Sequence, residues 1–556
     1  MRKPIDAAPM RKPIDDLAAH GQSRRRWLHQ TGALAATWLL TACGSDDGSS
    51  ARGTGSGGAS SGGSGGSSSG GQAGSGGAGG SAGSGGAGGS GGSNPGTQAK
   101  PPPPDNLSAN GRITVPFDAD AAFVASHPAG TAFWLPDGTY TKLKEVVPKH
   151  DMSFVGESTD GVVLDGGGTS GLHAFFGNAE RVVIARMTIT NYLGADMSQE
   201  EGPIMGKSSK YYAGSDKAAK DWYLYEVNLL NNGGTGIYMG HRFKVVGGRI
   251  EGHNPTGLAG GRITGGLVHS VAFKNNGLKG AAGAAVNNAQ IKMTWLNCGP
   301  WGSTDRDSSV WVDVYGNAMA PQLEAPTTFC VIACTFDCKN DSGENTRGVW
   351  FDLDCRDMEV AHCSFSDART FGVFNEGSNG CFIHHNTFTR CGADWGLPQN
   401  GQSWENAYFS FAAVVCGASD NIEVEDNVFE DCPMSMIEFL GDRGAAGADW
   451  GPGGAYPVAS AAWHYMIRNS FAPIAKGERA TVGSSNNKWR RNKLTGSSRR
   501  VGTIFGPGID TKTQANLDTS EWSDNVYEGS AQASAAEFYW DRQKMDYAAW
   551  KAAGRQ

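Results

Sequence analysis

Four stretches decide the fold. Residues 330–338 read CVIACTFDC, 359–368 read EVAHCSFSDA, 382–391 read FIHHNTFTRC and 422–432 read IEVEDNVFEDC. Aligned at a shared turn position they place Cys334, Cys363, Asn386 and Asn427 in one column, and Phe336, Phe365, Phe388 and Phe429 in a second column two residues later. Each unit alternates apolar and polar residues over four or five positions and then turns, which is strand rather than helix patterning. The steps from Cys334 to Cys363 and on to Asn386 are 29 and 23 residues, the length of one coil of a β-solenoid plus a variable loop. The Phe column is therefore expected to be an interior stack. Weaker copies occur at 223–232, 488–494 and 522–527.

Working outward, residues 111–166 (GRITVPFD…GTAFWLPDGTYTKLKEVVPKHDMSFVGES…VVLDG), the repeats, and the closing DYAAWKAAG at 546–554 resemble bacterial right-handed parallel β-helix proteins of the pectate-lyase-like superfamily. The resemblance covers nearly all of 111–556. It implies an all-β, single-stranded right-handed parallel β-helix over 107–530, with loops around 195–220, 392–406 and 441–460 projecting from the coils. A short C-terminal cap is expected over 531–556. The superfamily includes polysaccharide lyases, glycoside hydrolases, epimerases and proteins without known activity, so the fold alone does not name a reaction. The segment 360–366, VAHCSFS, is similar to the strand bearing a W-I-D-H-C-S-F-S motif in pectate lyases, but Ala361 stands in the place of that family's metal-binding Asp. There is also no R-x-P-x-x-R segment, and polygalacturonase signatures are missing. Neither mechanism carries over residue by residue.

The N-terminal hundred residues are of another kind. Ser23-Arg24-Arg25-Arg26-Trp27-Leu28 ahead of the apolar run ALAATWLLTA at 33–42 resembles a twin-arginine export signal, and the run is too short for a permanent membrane span. Leu40-Thr41-Ala42-Cys43 resembles a lipobox, which implies cleavage before Cys43, lipidation of that residue and an exported cell-envelope lipoprotein at the outer membrane or cell surface. MRKPID occurs at position 1 and again at Met10, so either Met is a candidate start. Residues 43–106 are nearly all Gly, Ser and Ala with a Pro-rich end, and 23 of the 82 glycines lie between 51 and 100. Such a segment cannot bury a core; as a flexible tether it spans about 40–45 Å. The membrane is then reached only through the lipid. Removing residues 1–42 takes the net charge from −8 to −12, which argues against nucleic acid as a partner. The expected partner is a polysaccharide, and a monomer is expected.

Candidate chemistry lies in outward columns. Val310-Trp311-Val312-Asp313, Val349-Trp350-Phe351-Asp352 and Val373-Phe374-Asn375-Glu376 align on their first residue. If the Val side faces inward, alternation puts Trp311, Trp350 and Phe374 in one outer column and Asp313, Asp352 and Glu376 in its neighbour. Aromatic rows suit sugar rings. Carboxylates one coil apart resist joint ionisation, which supplies an acid and a base, or they bind a cation such as Ca²⁺, so the cofactor stays open. A separation of about 5 Å also matches retaining glycosidases. Asp352 and Glu376 are the expected catalytic centre and His385 a reserve base, with His362 in its column and His384 beside it. Arg347 and Arg356 flank the Trp350 strand and are placed to neutralise a substrate carboxylate. The alternative is a non-catalytic surface protein that binds glycan through the same row.

Ten cysteines lie between Cys298 and Cys432. Cys334 with Cys363, and Cys391 with Cys432, share columns close enough for disulfides, yet export of an already folded chain favours buried thiols. Cys330, Cys334 and Cys338 do not converge on a strand and turn, and no metal site is assigned.

Overall fold

The computed structural model describes residues 99–555, outside the segments 171–172, 194–201, 208–217, 278–288, 297–310, 313–317, 320–327, 340–346, 393–411, 441–485, 506–519 and 530–536 and positions 255, 262, 295, 353–354, 377, 418 and 541–542. The chain winds as a right-handed parallel β-helix whose short strands stack into three parallel ladders. The first ladder runs from Ile113–Thr114 through Phe329–Ile332, Arg356–Ala361, Asn379–His384 and Glu423–Glu425 to Glu521–Ser523. The second includes Thr335–Asp337, Ser364–Ser366, Thr387–Thr389 and Val428–Glu430. The third includes Ile204–Met205, Ile237–Tyr238, Leu258–Gly261, Ala289–Thr294, Arg347–Asp352, Val373–Glu376, Val414–Gly417, Met436–Leu440 and Val501–Phe505. In Val183–Leu193 and Tyr223–Leu230 a single strand serves both the first and second ladders. Parallel stacking lets every coil pair its backbone with the coils above and below, so long-range register rather than local propensity closes the hydrogen-bond inventory.

The repeat produces the interior. Phe336, Phe365, Phe388 and Phe429 pair with one another in register and are at most 1% exposed. Their rings stack at centroid distances of 4.4, 4.9 and 5.0 Å with interplanar angles of 10° or less, and Phe273 extends the pile below Phe336. Leu494 and Tyr527 continue the column. Removing one such ring typically costs about 3–5 kcal/mol, because both neighbours lose a face.

The bend from the first ladder to the second is built the same way in each coil. Ala333, His362, His385, Asp426, Arg491 and Asp524 all lie in the left-handed region, with φ between 51° and 56°. A non-glycine residue there costs about 1–2 kcal/mol. The next residue offsets it. Asn386, Asn427, Asn492 and Asn525 are buried, and each amide nitrogen donates to the carbonyl of a strand in the preceding coil while each Oδ1 accepts the backbone N–H of the turn residue in the preceding coil. The amides also bond to one another at 3.0 Å, forming an asparagine ladder along the solenoid. At Cys334 and Cys363 thiols fill the same places.

Both ends are closed. Helix Ala121–Ala125, capped by Asp120, seats Val124 over the first coils. At the other end Trp489 and Trp522 stack at 4.7 Å, and buried Trp550 of helix Tyr547–Ala552 meets Trp522 edge-on. The expected boundary at 530 falls short: Phe538–Trp540 is still a third-ladder strand paired with Val501–Phe505, and the antiparallel strand Gln543–Met545 then ends the stack. At the start, the expected linker end is docked. The Tyr223 hydroxyl donates to the Pro102 carbonyl at 2.6 Å, and Leu107 packs with Val155, Ala185, Tyr225 and Val246. Of the expected side loops, 195–220 contains the third-ladder strand Ile204–Met205, while 393–406 and 441–460 lie outside the described residues. The long insertions all join the ends of third-ladder strands, whereas first-to-second bends are tight.

Candidate functional site

The third ladder carries the first candidate face. Val349, Val373 and Val414 pair in register and point inward, fully buried, so the next residue of each strand points outward. Trp350 and Phe374 are Cα partners whose rings lie 6.1 Å apart at 18°. Asp352 and Glu376 are partners two residues further on, as the repeat predicts. The Trp350 indole Nε1–H donates to Glu376 Oε2 at 2.9 Å, which orients that carboxylate. The Lys292 Nζ sits 4.0 Å from the centre of the Trp350 ring and the Arg347 guanidinium 5.4 Å from it. The Trp350 indole is therefore shared: two cations lie against its ring and its N–H holds a carboxylate. Burial pushes the Arg347 guanidinium down to about 10, which still leaves it charged at neutral pH.

The register corrects part of the expected column. The residue before Trp350 is Lys292 and the one before Asp352 is Thr294, both from strand Ala289–Thr294. Trp311 belongs instead to an antiparallel pair, Trp311–Val312 with Ala318–Met319, outside the third ladder, and Asp313 lies outside the described residues. The similarity of Val310–Asp313 to the true coils reads an insertion as a coil. Nor is the row an open aromatic platform. Beyond Phe374 it continues as Val415 and Ile437, and Phe374 packs with Phe371, Ala412, Met434 and Tyr539, with Trp350 half-buried at the edge. Glu376 and Lys292 are 5% and 7% exposed. Arg356 opens the next first-ladder strand, opposite Asn379, at the corner after Asp352.

His385 is not part of this centre. The whole first-ladder strand Asn379–His384 separates it from Glu376, about 20 Å of chain at strand rise. It lies with His362 and His384, whose rings are 5.1 and 5.2 Å from its own. His384 is buried; its Nε2 lies 3.0 Å from Glu359 Oε1 and its Nδ1 2.9 Å from His385 Nδ1. Glu359 is held below the usual carboxylate range chiefly by the hydrogen bond from His384, against the effect of burial. Desolvation, with the neighbouring imidazoles, lowers His362. Beside them Glu425 is tied to Arg490 and Arg491.

Lys292 and Glu359 were missed in the sequence. The alternation in AQIKMT at 289–294 was the available signal for Lys292. Glu359 opens one of the repeats, but its partner His384 lies 25 residues on, and the repeat alignment places it opposite Phe382 instead.

The cysteine columns form as expected. Cys334 and Cys363 adjoin, with the Cys334 N–H donating to the Cys363 sulfur at 3.4 Å. The nine described cysteines are buried thiols outside any disulfide, and desolvation raises Cys363, Cys381, Cys416 and Cys432, which keeps them protonated. Cys298 and Cys43 lie outside the described residues.

No protein-family model matches the chain, and no curated protein is similar to it in sequence. Among solved structures, it is similar to the A-module of a mannuronan C-5 epimerase from Azotobacter vinelandii, at 10% identity and a TM-score of 0.42 over 75% of this chain and 92% of that one. A mannuronic acid specific polysaccharide family 6 lyase from human gut microbiota aligns at 11% identity and TM-score 0.41, over 80% and 94%. The catalytic domain of a GH87 alpha-1,3-glucanase aligns at 10% and 0.43, over 79% and 70%. At these identities and scores the likeness provides no residue-level correspondence; the chain is a parallel β-helix by its own strand register.

Proposed function

We propose that the protein is an exported carbohydrate-active β-helix protein that cleaves a polysaccharide on the outer face of the third ladder, with a uronate-containing polymer as the substrate class. The observation that carries this reading is the convergence at Trp350: its indole orients the Glu376 carboxylate while Lys292 and Arg347 lie against its ring. Cleavage by elimination needs a base for the proton alpha to the uronate carboxylate and positive charge to stabilise the carbanion-like state that forms. Glu376, with Asp352 opposite it in register, supplies the carboxylates; Lys292 and Arg347 supply the charge. A hydrolase would use the same two carboxylates as acid and base or nucleophile. A protein that only binds glycan would need the ring and hydrogen bonds but not two cations on the ring that orients a carboxylate.

By the same reading, the leader directs the chain to the cell envelope, with lipid at Cys43 as its anchor. The test is a panel of acidic and neutral polysaccharides, followed by the ultraviolet absorbance of the unsaturated uronate and by release of reducing ends. Glu376→Gln and Asp352→Asn are each expected to lower turnover by about 10² to 10⁴, with an unchanged melting profile. Full activity in both variants overturns this site. Binding of a polymer without cleavage by the wild type leaves the glycan-binding reading.

A further inference from the structure

Away from the third ladder, on the bend between the first and second ladders, His362, His384 and His385 converge. Strand alternation would send the rings of consecutive residues 384 and 385 to opposite faces. The left-handed turn at His385, with φ of 53°, breaks that alternation and brings its ring onto the side of His384. His362 holds the same position one coil earlier, with φ of 54°, so the parallel stacking delivers a third ring. The ligating nitrogens of the three all lie within 4.8 Å of one another.

The protonation pattern is partly set by the partners. Glu359 faces Nε2 of His384, so that nitrogen carries the hydrogen and Nδ1 presents its lone pair toward His385. A carboxylate that orients one ring nitrogen while the other faces a cluster of imidazoles is the arrangement found behind metal-bound histidines. The Nδ1 to Nδ1 distance of 2.9 Å is a few tenths of an ångström below the roughly 3.3 Å that two nitrogens take around a tetrahedral ion at about 2.0–2.1 Å from each. His385 is exposed and His362 half-buried, so both can adjust while buried His384 stays fixed. Ala361, the residue one coil before His384, has only a methyl group and adds no competing polar side chain there.

We propose that His362, His384 and His385 form a binding site for one divalent late transition ion of the Zn²⁺ class, with His384 bound through Nδ1 and oriented by Glu359, and a fourth position left to water or a small anion. Three imidazoles suit Zn²⁺, Ni²⁺ or Cu²⁺ rather than Ca²⁺ or Mg²⁺, which take oxygen ligands. This site is independent of the proposed polysaccharide chemistry and lies on another face of the solenoid.

The experiment uses the full chain, stripped of metal with a chelator and titrated with Zn²⁺ by calorimetry, then with Co²⁺ as a spectroscopic probe. One equivalent of Zn²⁺, visible d–d bands of a tetrahedral Co²⁺ centre, and a Zn²⁺-dependent rise in melting temperature are expected. His385→Ala, at an exposed position, and His362→Ala are each expected to abolish the bands and the thermal shift. Glu359→Gln is expected to weaken binding about 10- to 100-fold. Circular dichroism checks that each variant is folded. The proposal is overturned if the wild type takes up no ion, if uptake survives both His variants, or if Co²⁺ gives thiolate charge-transfer bands, which would assign binding to the cysteines.

Discussion

Replacing Asn427 by Ala tests whether the asparagine ladder, rather than the Phe stack alone, holds the coils in register. Asn427 is fully buried. Its Oδ1 accepts from the Asn386 backbone N–H at 2.9 Å and from Asn386 Nδ2 at 3.0 Å, and its Nδ2 donates to the Ile383 carbonyl at 2.9 Å and to Asn492 Oδ1 at 3.0 Å. In the variant two of those four groups keep other partners. Asn386 Nδ2 still reaches the Val360 carbonyl at 2.8 Å, and Asn492 Oδ1 still accepts the residue-427 backbone N–H at 3.1 Å. The Asn386 N–H is left stranded and the Ile383 carbonyl loses this donor. A stranded buried donor costs about 1–3 kcal/mol and a lost net hydrogen bond about 1 kcal/mol, while the left-handed turn at Asp426 is not relieved. The expected loss is about 2–4 kcal/mol, read from urea unfolding followed by far-ultraviolet circular dichroism. Asn427→Asp, which keeps the shape but cannot donate from its second oxygen, is expected to lose at least as much at neutral pH. The exposed Glu430→Ala serves as the control and should stay within about 0.5 kcal/mol of wild type. A loss below about 1 kcal/mol in Asn427→Ala refutes the argument, because the ladder would then be filling space rather than satisfying the bend.

Two further outcomes are expected. Burial raises the Glu537 carboxyl, but hydrogen bonds from Lys544, Tyr539 and Arg500 outweigh it and bring it down to about 2 from an ordinary 4.5. Because the folded value is depressed, its stabilisation of the C-terminal strands is complete above about pH 4.5 and is lost as the pH falls toward 2; amide exchange over Phe538–Trp540 and Gln543–Met545 should rise in that window, and a Glu537→Gln variant that shows the same acid response would remove Glu537 as its cause. Cys43→Ala should move the protein from the membrane fraction to the soluble fraction, and unchanged sedimentation with membranes would count against lipidation.

Much of the coil was legible because its signals are local. Inward Phe, preceding turn and buried Asn fall within about five residues, so Phe365, Phe388, Asn386 and Asn427 could be placed without knowing which coil lay beside which. Asp352 and Glu376 could be paired because only a short coil separates them. Across the insertions local patterning does not fix which strands pair. The 34 residues between strands Ala289–Thr294 and Phe329–Ile332 contain a run, Val310–Asp313, that imitates a coil in composition, and nothing local distinguishes it from Ala289–Thr294.

Strand alternation and turn chemistry act over a few residues, so the residue pattern alone marked this chain as a parallel solenoid and placed the inward Phe column and the bends of the four repeats at 330–432. It took the stacked coils to show that Lys292 and not Trp311 precedes Trp350, that Phe374 is packed away rather than presented, and that His384 meets Glu359 while His385 stands apart from Glu376. Those facts depend on which strands lie side by side after long insertions. Pairing of that kind is chosen by backbone hydrogen bonding and burial across the whole stack, and no short window of residues contains it.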